Sequence, residues 1–167
     1  MHFETSLEFL ESHTYDELNL GDTSALVRTL RPEDVKLFAL MSGDMNPVLA
    51  NTEFRHSGLF RDFIAHGMWI ASLLSTILST QFPGPGTALM ETSLQFARPV
   101  TIGDTITFTV TVRQKFAHNH HIILDCVGAN QDGLVVVSGS VEVMAPTEKV
   151  RTKRAALPEI TISDKYA

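Results

Sequence analysis

One stretch constrains this chain more than any other. Over residues 65–80, Met68, Ile70, Ala71, Leu73, Leu74, Ile77 and Leu78 recur at helical spacing. The stripe is apolar almost all round, so a helix built from it belongs in an interior and not on a surface. Pro83-Gly84-Pro85-Gly86 stops it abruptly. The period then changes. Residues 89–96, 105–116, 121–129 and 134–144 are rich in Val, Ile, Thr and Phe, and Ile106, Phe108, Val110 and Val112 alternate with threonines, which buries one face. Gly103-Asp104 and Asn130-Gln131-Asp132-Gly133 supply turn chemistry. One buried helix followed by four long antiparallel strands is an α+β pattern, and a sheet wrapped around the helix hides it on all sides. The pattern by itself leaves other α+β folds open.

The N-terminal half is less regular. Gly21-Asp22 reads as a turn, followed by Ala25, Val27 and Thr29 in alternation as a first strand. Pro32-Glu33-Asp34 opens a helix, because proline suits the first turn and early carboxylates complement its positive end. Val35, Phe38, Ala39 and Met41 form its apolar stripe, and Ser42-Gly43 ends it. A short helix is predicted over 52–58, with Phe54 and Leu59 turned inward. From Pro146 onward, Lys149, Arg151, Lys153 and Arg154 precede Pro158 without any hydrophobic period, the signature of an exposed tail or linker. The expected organisation is a lead over 1–14, one domain over 15–147 and a tail over 148–167.

Composition narrows the function classes. A chain of 167 residues is the size of one domain with a real core. Its formal net charge of -6 offers no attraction to nucleic acid or to anionic membranes. No apolar run approaches the roughly 18 residues that a membrane helix needs. The N-terminus has no basic region of the signal-peptide kind. The lone Cys126 sits in an apolar stretch and is expected as a buried core residue in a reducing, cytoplasmic setting. His118, His120 and His121 invite a metal reading, but neighbours on a strand point to opposite faces and no nearby Cys or carboxylate completes a set. No metal is expected there; Lys115 and Asn119 point to a solvated hairpin tip.

With these residues in place, the chain resembles the MaoC-like (R)-specific enoyl-CoA hydratases. Ser42-Gly43-Asp44-Met45-Asn46-Pro47 looks like that family's signature loop, and Ala65-His66-Gly67-Met68 like the start of its central helix. Pro83–Gly86 and the segment from Phe96 to Thr105 follow in order, over about residues 15 to 147. The resemblance is greatest to the N-terminal segment of proteins that continue into a phosphate acetyl- or butyryltransferase domain. It implies a hotdog fold, a homodimer, and reversible addition of water across a trans-2-enoyl thioester carried on CoA or a carrier protein. It implies no cofactor, since CoA is part of the substrate.

Residue by residue, Asp44 matches the family's catalytic aspartate, expected in an apolar channel that raises its basicity. Gly67 matches the backbone N–H that holds the oxyanion, and the start of a buried helix favours negative charge. Asn46, His66 and Ser75 fall beside the site in the same correspondence. Five residues after the aspartate, where the family places its catalytic histidine, stands Leu49. Leucine has no donor, acceptor or titratable group, so it neither orients water nor relays a proton; His66 and His56 are the nearest substitutes in sequence. The resemblance therefore implies a weakened hydratase. The alternatives are a non-catalytic acyl-thioester-binding module and, more remotely, a hotdog thioesterase.

Overall fold

The computed structural model describes residues 8–44 and 67–161. In chain order the elements are β1 (Phe9–Glu11), β2 (Thr23–Thr29), α1 (Pro32–Ser42), α2 (Gly67–Thr80), β3 (Ala88–Phe96), β4 (Thr105–Phe116), β5 (His121–Ala129), β6 (Val135–Met144) and β7 (Arg151–Lys153). Five of the strands form one antiparallel sheet in the order β2-β4-β5-β6-β3, and β1 pairs with β7 apart from it. The short helix predicted over 52–58 lies outside the described residues.

The alternation read in β4 holds along the sheet. Ile106, Phe108, Val110 and Val112 are buried, as are Ile122, Leu124 and Cys126 of β5 and Val137, Val141 and Val143 of β6. Register brings these residues together, with Val110 opposite Cys126 and Val112 opposite Leu124. Phe108 faces Gly128 across the ladder, and a Cβ there would meet Val137 Cγ1 at 2.6 Å. Glycine at 128 thus leaves the space that the Val137 and Phe108 side chains fill. Onto this face α2 lays Trp69, Ile70, Leu73, Leu74, Ile77 and Leu78, all buried. Burial pushes the Cys126 thiol up to about 12, with the Asp125 charge adding to it, so this cysteine behaves as a small apolar side chain.

Several readings of the sequence need correcting. The helix α2, Gly67–Thr80, is not apolar all round. Met68 is exposed, as are Ser72, Ser75, Thr76 and Ser79. Hydroxyls satisfy themselves on the helix backbone, Thr76 on the Ser72 carbonyl and Ser79 on the Ser75 carbonyl, so serine and threonine hide their polarity within the pattern. In β2 the alternation is real but its phase is opposite: Ala25 and Val27 face outward while Leu26 packs on the core opposite Phe108. Three small or β-branched residues on one face were a poor guide beside a single leucine on the other. Met41 is likewise exposed.

The C-terminal segment is exposed over residues 151–161 but not detached. Arg151–Lys153 pair with Phe9–Glu11, the Arg151 guanidinium lies over the Phe9 ring, and Ser12 and Val150 exchange hydrogen bonds. Lys149 donates to both oxygens of the Glu17 carboxylate. Lys115, expected at a solvated hairpin tip, instead reaches back to the carbonyls of Tyr15 and Leu18 and stands over the Tyr15 ring. These long-range polar contacts leave no periodic trace in sequence.

The clasp formed by these ends has a pH dependence with a defined sign. The hydrogen bond from Lys149 and the Thr14 N–H lower the Glu17 carboxyl from its usual 4.5 to about 2. A depressed carboxyl stabilises the folded state above its unfolded pKa, and that contribution fades as pH falls from 4.5 towards 2. The expected result is faster proteolytic clipping of the C-terminal segment over that window, by an acid-active protease, in the wild type. Glu17→Gln clips fast throughout, while core amide protection stays the same in both.

Candidate active site

The site is best built from α1 outward. The Asp34 carboxylate accepts the Arg31 N–H at 2.9 Å, which closes the first turn of α1. At its other end Gly43 adopts φ 72°, and its N–H bonds the Ala39 carbonyl at 2.9 Å, a left-handed cap that needs glycine. The Ser42 hydroxyl donates to the Phe38 carbonyl and accepts from the Asp44 N–H. Asp44 therefore emerges directly from a well-defined helix end. It is exposed on the single chain, and the residues that follow it, 45–66, lie outside the described ones. The sheet curls around α2, and no described strand covers the end of α1.

A cavity of about 280 Å³ opens beside the first described turn of α2, lined by Gly67, Ile70, Phe96, Ala97, Arg98, Pro99 and Val100. Ile70 and Val100 are buried and form an apolar floor. Phe96, the last residue of β3, packs over Gly67, where an added Cβ would meet its ring at 3.4 Å. The wall from Pro99 to Val100 is held by Asp104, whose carboxylate accepts the Thr101 N–H at 2.8 Å and the Gln131 side-chain amide at 2.8 Å. Burial pushes the Asp104 carboxyl up, but hydrogen bonds from the Thr101 N–H, Gln131 and the Thr101 hydroxyl outweigh it and hold it below the usual carboxylate range. That wall is pre-set by charge-assisted hydrogen bonds rather than left to a mobile loop.

Of the residues singled out in sequence, Gly67 lines this cavity. Ser75 lies two turns farther along α2 on its exposed face. Asn46, Leu49, His56 and His66 lie outside the described residues. The histidine cluster separates into different contacts: His121 Nδ1 meets Glu142 at 2.6 Å, His120 stands edge-on to Tyr15, and His118 edge-on to Phe116. Among the described residues no three ligating side chains gather as a metal site would require. Phe96, Arg98 and Ile70 were not anticipated as lining residues. For Phe96 and Arg98 the signal was present in the segment from Phe96 to Pro99, which stood out as a motif without an assigned task.

Because the methyl of alanine would make only ordinary contact with Phe96, Gly67→Ala is expected to fold with wild-type thermal stability, or a gain of up to about 1 kcal/mol from helix propensity. It is also expected to narrow the cavity mouth. A melting curve together with acyl-CoA titration checks both halves, with unfolding the contrary result.

A sheet that curls around a single apolar helix, with a cavity at one end of that helix, defines an α+β hotdog domain. The sequence profile of the MaoC like domain matches residues 21–125. The chain is 36% identical over 143 residues to an (R)-specific enoyl-CoA hydratase of Rhodospirillum rubrum, covering 84% of this chain and 97% of that protein. An R-hydratase of Pseudomonas aeruginosa, PhaJ1 in its unliganded form, superposes with a TM-score of 0.88 at 35% identity, covering 93% of this chain and 99% of that one. The (R)-hydratase of Aeromonas caviae, described as involved in PHA biosynthesis, gives 0.74 at 32% identity over 77% of this chain and 98% of its own. The chain belongs to the MaoC-like family. Among the described residues no helix is long and apolar enough to cross a membrane.

Proposed function

We propose that this domain binds trans-2-enoyl thioesters and acts as an (R)-specific enoyl-thioester hydratase whose rate is limited by Leu49. The observation that carries the reading is the cavity at the head of α2, with Gly67 on its wall and an apolar floor of Ile70 and Val100. The relatives named hydratases, at 33–36% identity over most of the chain, support it.

In this reading water adds at Cβ of the enoyl group, the electron pair moves onto the thioester oxygen as an enolate, and the proton taken from the water by Asp44 is returned to Cα as the enolate collapses. Asp44 deprotonates the water. The Gly67 N–H donates to the enolate oxygen, a contact worth about 2.7–4 kcal/mol in comparable sites. Asn46, His66 and Ser75 are assigned to holding the loop and the ligand. The family's second acid–base group is missing, since Leu49 offers neither lone pair nor proton. That substitution favours a second reading, in which the cavity holds an acyl thioester without turning it over.

A second copy of the chain belongs to this proposal. β3 is an edge of the sheet, and Leu89, Met90 and Phe96 are exposed along it, with Met68 exposed on α2. An unpaired apolar edge is usually covered. Pairing along β3 in a homodimer would continue the sheet and close the open side of the cavity.

The test follows loss of enoyl absorbance with crotonyl-CoA. Slow hydration by the wild type that disappears in Asp44→Asn supports the enzyme. Binding without turnover, equal in both, supports the binding module. Release of free CoA would point to a thioesterase instead.

A further inference from the structure

We propose that Arg98 is the phosphate-recognition residue of this cavity, binding the phosphate that CoA shares with the phosphopantetheine arm of a carrier protein. The inference rests on the acyl-thioester reading above and adds how the handle is held.

Arg98 lies in the turn after β3, between Ala97 and Pro99, and lines the same cavity as Gly67. Its Nη1 donates to the Val135 carbonyl at 2.6 Å, where β6 begins. One of five donors is used to fix the guanidinium in place, and the remaining ones are available for a planar, bidentate anion. Among the described residues no carboxylate lines the cavity and none pairs with Arg98. Arg28 and Arg113 differ: each is committed to an aspartate, Asp34 and Asp125 respectively. Arg98 thus places a positive charge at the rim of an otherwise apolar cavity.

The division of the cavity indicates which part of the ligand meets it. Ile70, Val100 and Phe96 offer only apolar surface, suited to the acyl and pantetheine chain. Arg98 is exposed at the mouth, where a phosphate keeps part of its hydration while gaining a charge-assisted contact. Anchoring by a group already held in its bound geometry costs little ordering entropy.

The experiment is calorimetric titration of wild type, Arg98→Gln and Arg98→Lys with crotonyl-CoA, crotonyl-4′-phosphopantetheine and crotonyl-pantetheine. Arg98→Gln is expected to weaken the two phosphorylated ligands by about tenfold or more and leave crotonyl-pantetheine unchanged. Arg98→Lys recovers part of the loss, and added salt weakens only the phosphorylated ligands. Titration with a crotonyl-loaded carrier protein then separates the sources, and Arg98-dependent binding of either supports the assignment. Equal weakening of all three small ligands would reduce Arg98 to a pin between β3 and β6. An effect on crotonyl-CoA alone would overturn the shared phosphate. Wild type that binds all three while Arg98→Gln matches it overturns this inference and leaves the thioester reading standing; wild type that binds none overturns both.

Discussion

Leu49→His is expected to raise the rate of crotonyl-CoA hydration by roughly 10²–10⁴-fold, the range that a positioned general acid–base group contributes. No new binding surface is needed. If Asp44 and the Gly67 N–H perform their proposed parts, the reaction lacks a second group that can hold water in line and pass a proton. Imidazole supplies both at neutral pH, because its ordinary pKa of about 6.5 leaves each form populated. The gain should also carry a new pH limb near that value, absent from the wild type. Leu49→Gln separates the causes: it offers hydrogen bonds without titrating, so it should recover little and show no such limb. The measurement is initial loss of enoyl absorbance against pH for the three proteins. An unchanged rate in Leu49→His would mean that the loop does not bring position 49 to the reacting carbon, and the binding-module reading would gain.

How much of this was legible in the sequence depends on which force carries each part. The sheet was, because strands with one face in water must alternate. β4 and β5 run over the residues that the pattern of Ile106 to Val112 and the turn at 130–133 predict. α2 was legible for the same reason on its buried side, while Ser72, Thr76 and Ser79 disguised its open side by bonding to their own backbone. The clasp was not. Lys149 on Glu17, and Lys115 on the Tyr15 and Leu18 carbonyls, join residues about a hundred or more positions apart and obey no period. The site divides in the same way. Gly67 could be placed by its motif, and the structure sets it on a cavity wall. Phe96 and Arg98 escaped because a strand end gives no pattern that says which neighbour it will meet.

The most damaging small substitution lies away from the cavity, at Gly139 in the middle of β6. It faces Cys126 of β5 on one side and Leu94 of β3 on the other. A Cβ at this position would come within 1.9 Å of the Ser93 carbonyl oxygen, 2.9 Å of its carbon and 3.0 Å of the Leu94 Cα. All three are backbone atoms of a strand in register, so no rotamer change relieves the clash; β3 itself has to move. Overpacking a core typically costs about 1–3 kcal/mol when side chains can adjust, and Gly139→Ala is expected to exceed about 3 kcal/mol. Gly128→Ala is the comparison. Its tightest contact, Val137 Cγ1 at 2.6 Å, belongs to a side chain and not to a paired backbone, so its cost should stay within the usual range. Urea midpoints for the two variants and the wild type decide the matter, with equal losses at 139 and 128 the contrary result. The consequence reaches the ligand as well. β3 ends at Phe96, which covers Gly67, and two residues later comes Arg98. Any Gly139→Ala protein that still folds should therefore bind crotonyl-CoA more weakly than Gly128→Ala of equal residual stability, because displacing β3 moves the wall that shapes the cavity.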